Sequence, residues 1–321
     1  MYYKLTIQTY TAIFLLFFSC ISCNASTKIP GSLKVEENSL LNTANSTSDQ
    51  KLLQTSTNLV LPRPSVSDIA RQVTVRILTS HGGGSGVIIA RQGNIYTVLT
   101  NHHVVLDSRQ NQYTVLTTDA LKHSAQWLQP TEYNNLDLAL VQFSSNNTYR
   151  VAEVGNSTTL SVNDVIYATG FPNWHKTSPD NIESTLNWGL RAYLFTEGTV
   201  EMILPKSLQR GYQLGYTNSL ANGMSGGAVL NQYGHLVGIN GKGKYPLAGI
   251  RAFTFVDGTK PSVELFQQME SLSWAIPVTT IQRSIFQPQL NQEIQPPTPR
   301  NELNQEIQPS TPQQKSNYLQ E

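Results

Sequence analysis

The sequence predicts an all-β domain, and three observations carry that prediction. Between residues 64 and 287 the apolar positions fall in short runs rich in Val, Ile, Thr and Tyr, such as Val87-Ile88-Ile89 and Tyr96-Thr97-Val98-Leu99. Clusters of Gly, Asn and Asp punctuate those runs. The stretch after Gly227 alternates as a hairpin: Ala228-Val229-Leu230, a turn at Asn231 to Gly234, then His235-Leu236-Val237-Gly238-Ile239, with no helical period. Short strands of this kind, bounded by turn residues, read as an antiparallel barrel or sandwich.

Taken in order, residues 1–25 resemble a secretory leader. Lys4 gives a positive start, Ala12 to Phe18 an apolar centre too short to span a bilayer, and Cys23-Asn24-Ala25 a small-residue cleavage site. Both cysteines, Cys20 and Cys23, lie in this leader. Cleavage after Ala25 would remove them, whereas a lipid-bearing cysteine would need a recognition pattern that the preceding residues match poorly. Plain export is the expectation, to the periplasm or the medium. The folded domain then has no disulfide and holds by packing.

Residues 26–63 are rich in Ser, Thr and Asn without a sustained period, and read as a disordered linker. A short helix or turn over residues 64–72, capped by Ser65 or Ser67, opens the domain of residues 64–287. Strands are expected at Val73 to Leu78, Asn94 to Asn101, Tyr113 to Thr117, Asp137 to Phe143, Asp164 to Ala168, Gly198 to Ile203 and Tyr212 to Thr217. The run Gly82 to Gly86 reads as a hairpin turn, since no Lys-Ser/Thr follows it to make a phosphate cradle. Asn173 to Asn187 reads as a polar loop. A short closing helix is expected at Thr279 to Phe286. Residues 288–321 form a Pro/Gln-rich tail in which Leu290 to Pro296 recurs as Leu303 to Pro309, a composition that buries no core.

Composition narrows the function classes. The chain has 321 residues, 13% of them charged, and a net charge of +1. Removing the leader takes away Lys4 and leaves 21 basic against 21 acidic residues. No electrostatic footprint for nucleic acid or an acidic membrane follows. The six histidines show no metal-ligand spacing, and a structural role is expected for His81, His123, His175 and His235.

The chemistry gathers at Gly223-Met224-Ser225-Gly226-Gly227. A serine hydroxyl attacks well only with a histidine beside it, a carboxylate to orient that histidine, and backbone N–H donors for the oxyanion. Gly223 can turn its amide toward a substrate carbonyl, while Gly226 and Gly227 let the chain pass tightly behind Ser225. Upstream, His102-His103 ends an apolar run, and Asp137 heads another. Alternation puts His102 and His103 on different faces, so one of them is expected to meet Ser225. The chain order His, Asp, Ser excludes the Gly-x-Ser-x-Gly elbow of α/β-hydrolases, because no acid lies between Ser225 and the later His235.

These residues resemble those of the trypsin-like serine peptidases of bacterial type, and in particular the peptidase domain of the Deg/Htr proteins. The resemblance rests on Gly84-Ser85-Gly86-Val87-Ile88-Ile89, Leu99-Thr100-Asn101-His102-His103-Val104-Val105, Asp137-Leu138-Ala139-Leu140, the Ser225 pentapeptide and Gly238-Ile239-Asn240. It implies two antiparallel β-barrels with the cleft between them, and a short C-terminal helix. By its Thr-Asn-x-His pattern it makes His103 the general base, with Asp137 as its orienting acid, Ser225 as nucleophile, and the amides of Gly223 and Ser225 as oxyanion donors. It places Ser219 near the base of the specificity pocket and Asn240-Gly241-Lys242 along its wall.

The implied activity is an exported serine endopeptidase acting on protein or peptide through an acyl-enzyme, with no cofactor. A catalytically silent binding module on the same fold and an esterase are the competing readings. Met224 stands where trypsin-type zymogens have the aspartate that pairs with a freed N-terminus, so activity is expected without such a cut. With nothing acidic near Ser219, a small or apolar residue before the cut is expected; Lys242 leaves open an acidic one.

Overall fold

The computed structural model describes residues 64–80, 82–106, 112–128, 135–178 and 181–284. The leader, the linker, the tail and His81 lie outside the described residues. Helix α1 (Val66–Val73) opens the domain with a capping box in which Ser65 accepts from the Asp68 N–H and Asp68 reaches back to the Ser65 N–H. Its buried side chains are Ile69, Ala70 and Val73, so Val73 ends a helix and does not begin the first strand.

Six strands follow: β1 (Thr74–Leu78), β2 (Gly83–Gln92), β3 (Ile95–Thr100), β4 (Tyr113–Leu116), β5 (Lys122–Leu128) and β6 (Ala139–Ser144). They close into an antiparallel barrel in the order β1-β2-β3-β6-β5-β4. Gly83 to Gly86 belong to β2 and pair with β1, so the turn itself lies just before them. Strand β5 carries alternating polar residues and few β-formers, which hid it in the sequence.

The second barrel comprises β7 (Val165–Gly170), β10 (Leu194–Ile203), β11 (Leu214–Tyr216), β12 (Ala228–Asn231), β13 (Leu236–Lys242) and β14 (Ser273–Pro277), closed in the order β10-β11-β14-β13-β12-β7. Between β7 and β10, the expected polar loop instead forms a hairpin of β8 (Trp174–Ser178) and β9 (Asn181–Ser184). Its strands are exposed, so no burial pattern marked them. Helix α3 (Val263–Glu270), capped by Ser262, precedes β14, and residues 278–284 are helical at the end of the described chain.

One face of each barrel's strands fills that barrel. Val75, Ile77, Val98, Val115 and Phe143 occupy the first, and Ile166, Val200, Tyr216, Val229 and Val237 the second. A third cluster, including Val87, Leu99, Leu138, Leu230, Ile239 and Trp274, draws on both barrels and joins them. Buried hydrogen bonds set the joint's register: Thr74 Oγ1 and Thr169 Oγ1 lie 2.7 Å apart, and the Asp137 N–H donates to the Arg210 carbonyl at 3.1 Å.

Candidate active site

Strand register brings the histidine and the acid together. Thr100 on β3 stands opposite Ala139 on β6, so the residues that continue β3 meet those that precede β6. Beyond Thr100 the chain turns into a four-residue helix, α2 (His102–Val105), and not a further stretch of strand. The helix forms because Asp137 Oδ1 accepts the His103 N–H at 2.9 Å while the Asn101 amide donates to the Asp137 carbonyl at 2.8 Å. The two rings still diverge, as helical neighbours do: His102 lies 5.3 Å from the Trp127 ring, and His103 faces Asp137.

His103 Nδ1 lies 2.6 Å from Asp137 Oδ2. Asp137 is buried to 2% exposure, whereas the His103 side chain keeps 36%. Tyr212, entering from the second barrel, donates its hydroxyl to the same carboxylate oxygen. Burial pushes the Asp137 carboxyl up, but the bonds and charge of His103 and the bond from Tyr212 outweigh it and hold the group at about 2. The Tyr212 phenol moves the other way, well above its ordinary value, through burial and the adjacent carboxylate. Sequence reasoning missed Tyr212, since one tyrosine in a strand-like run carries no local signal.

The serine loop is held from behind. Gly223 has φ +100° and Gly226 φ +85°, both in the left-handed region. A Cβ on Gly226 would stand 2.1 Å from the Ser85 carbonyl oxygen, and one on Gly227 1.9 Å from that of Thr169. Ser85 acts as a clasp from the first barrel. Its N–H donates to the Ser225 carbonyl at 2.8 Å, its hydroxyl donates to the Gly223 carbonyl at 2.7 Å, and the Phe171 N–H donates to that hydroxyl at 2.8 Å. The Asn173 N–H holds the Asn222 carbonyl at 2.7 Å, and Thr185, itself gripped by the buried Arg76 guanidinium, steadies residues 172–173. Among the described residues, the N–H groups of Gly223 and Ser225 have no hydrogen-bond acceptor in the protein.

Ser225 Oγ is 3.5 Å from the Gly241 carbonyl oxygen and forms no hydrogen bond with His103. Met224 is fully buried, with its sulfur accepting from the Ala221 N–H at 3.4 Å. Of the expected pocket residues, Ser219 is exposed, while Asn240 is buried and committed to its own barrel. The Asn240 amide donates to the Thr169 carbonyl and its oxygen accepts from the Tyr216 hydroxyl. Gly241 lies against the Tyr212 ring, and only its backbone faces Ser225.

Among the described residues no three metal-ligating side chains cluster, and no helix is long and apolar enough to cross a membrane. His123 sits with Thr117 and Tyr149, His175 against Trp188, and His235 beside Glu153, all away from Ser225.

Residues 84–239 match the family described as the trypsin-like peptidase domain. This stretch is a trypsin-like peptidase domain. Related proteins include the serine protease Do-like HtrB of Bacillus subtilis (strain 168), 31% identical over 160 residues, covering 49% of this chain and 32% of that protein. The serine protease Do-like HtrA of Lactococcus lactis subsp. cremoris (strain MG1363) is 29% identical over 157 residues, covering 49% and 36%. The matched trypsin-like stretch thus spans about a third of the length of these curated relatives. The crystal structure of the serine endoprotease from Yersinia pestis superposes with a TM-score of 0.47 at 22% identity, over 69% of this chain and 65% of that one.

Proposed function

We propose that this chain is an exported serine endopeptidase that cleaves peptide bonds through Ser225, His103 and Asp137. The observation that carries the reading is the bond of His103 Nδ1 to a buried, ionised Asp137, with the other ring nitrogen left for the nucleophile. Ser225 Oγ turns from the Gly241 carbonyl, gives its proton to His103 Nε2 and adds to the substrate carbonyl carbon. Asp137 stabilises the imidazolium without taking its proton. The oxyanion is met by the amides of Gly223 and Ser225, which cost no reorganisation because the glycine geometry and the Ser85 clasp already orient the loop. His103 then protonates the leaving amine, an acyl-enzyme forms on Ser225, and water activated by the same imidazole releases the product acid.

Support for peptidase over esterase comes from the names of the relatives. Export rests on the leader-like residues 1–25. Because Met224 is buried where an ion-pairing aspartate would stand, activity needs no new N-terminus. The silent binding module draws its one support from the Ser225 hydroxyl, which faces Gly241. Hydrolysis of an unstructured protein and of matched amide and ester peptides decides among these: amide cleavage that disappears in Ser225→Ala supports the endopeptidase, ester cleavage alone the esterase, and neither the binding module.

A further inference from the structure

Near the His103–Asp137 pair lie two cations, Lys242 and Arg210, that form no ion pair among the described residues. Lys242 Nζ lies over the Tyr212 ring, 5.3 Å from its centroid, and over the Phe253 ring at 5.8 Å. Arg210 precedes Tyr212 by two residues and is exposed, and its positive charge lowers the pKa of both Tyr212 and Lys242. Asp137 acts on Lys242 through its charge, but its hydrogen bonds go to the His103 ring, the His103 N–H and the Tyr212 hydroxyl.

Two features turn this cluster toward a ligand. Lys242 directly follows Gly241, whose carbonyl lies 3.5 Å from the Ser225 hydroxyl, so residue 242 is within about three residues' length of a peptide bound at Ser225. An ammonium taken partly out of water and faced by rings recovers only a fraction of its hydration, and burial here pushes Lys242 below the usual lysine range. An incoming carboxylate would supply the ion-pair partner that Lys242 lacks, with the exposed Arg210 adding a second donor set.

We propose that Lys242, assisted by Arg210, is the specificity-determining subsite of the cleft, selecting substrates with a Glu or Asp side chain within about three residues of the scissile bond. The proposal rests on the peptidase reading. It resolves the alternative that the sequence leaves open at Lys242.

The test uses the full chain and fluorogenic peptides that carry Glu or its isostere Gln at each of the positions flanking the cut, with fluorophosphonate labelling of Ser225 run beside each assay. The expected result is a Glu preference in kcat/KM of about tenfold or more at one position, kept in Lys242→Arg, collapsing to within about twofold in Lys242→Met, and shrinking as salt is raised. Labelled, active enzyme that cuts Glu and Gln peptides equally at every position overturns the subsite and leaves the peptidase standing. A Glu preference that survives Lys242→Met overturns the subsite as well. A folded chain that neither labels nor cleaves contradicts the peptidase reading, and the subsite falls with it.

Discussion

The Tyr212 hydroxyl and the Asp137 carboxylate form a hydrogen bond across the junction of the two barrels, so the second barrel buttresses the acid that holds His103. Removing the hydroxyl while keeping the ring, in Tyr212→Phe, takes one donor from a charged acceptor, a loss worth about 1.5–3 kcal/mol. Turnover is expected to fall by about tenfold in kcat with KM little changed, while the Tm falls by about 3–12 °C. Steady-state kinetics well below the melt and a thermal melt read both quantities. A lowered Tm with kcat unchanged would mean the hydroxyl serves the fold alone.

Acid should weaken the domain through Asp137. Its carboxyl sits at about 2 in the folded chain against an ordinary 3.8, so the folded state binds this proton less readily than the unfolded one. The resulting stabilisation, about 2 kcal/mol, is present above pH ~4 and drains away as pH falls through ~2. Urea unfolding of the parent and of Asp137→Asn should therefore differ most near neutral pH, with the gap closing toward pH ~2. A gap of constant size across that range would show that the carboxylate's charge contributes nothing.

Ser85 is expected to matter although it touches no substrate. In Ser85→Ala the Gly223 carbonyl and the Phe171 N–H lose their shared partner in a buried place. Each orphaned group costs about 1–3 kcal/mol. Chemical denaturation should show a loss in that range or above, and fluorophosphonate should react more slowly with Ser225 because the loop is no longer clasped. Replacement by Thr keeps the hydroxyl and should recover part of the labelling rate.

Gly223 carries a different constraint. With φ at +100°, and a Cβ that would stand 2.5 Å from the Phe171 carbonyl oxygen, Gly223→Ala forces the peptide to shift. An oxyanion donor moved out of line is expected to cost about a hundredfold in kcat. Burst kinetics with an activated ester would locate the loss in acylation. Unchanged acylation would remove Gly223 from the oxyanion site.

The sequence was most readable where chemistry and backbone make the same demand. Gly226 and Gly227 are spaced as they are because side chains there would strike Ser85 and Thr169, and that crowding is what makes the pentapeptide stand out. The expected pairing of His103 with Asp137 came from the resemblance, and the structure brings the two together because His103 lies just after β3 and Asp137 just before its partner β6. Helix α2 was not readable, since it is stabilised by Asp137, a contact between residues 34 positions apart. Strands β8 and β9 escaped notice for want of buried alternation. Asn240 sits where a pocket wall was expected, yet its amide is spent on Thr169 and Tyr216, a choice made by the barrel's interior and invisible in the local sequence. Tyr212, like Arg76, acts entirely through partners distant in the chain.

Treatment of the purified chain with a fluorophosphonate, followed by mass mapping of the labelled peptide, tests the central claim most directly. One adduct on Ser225, missing from Ser225→Ala and suppressed in His103→Ala, is the predicted result, because only an oriented imidazole makes that hydroxyl nucleophilic. A folded chain left unlabelled, or one labelled equally in His103→Ala, would contradict it.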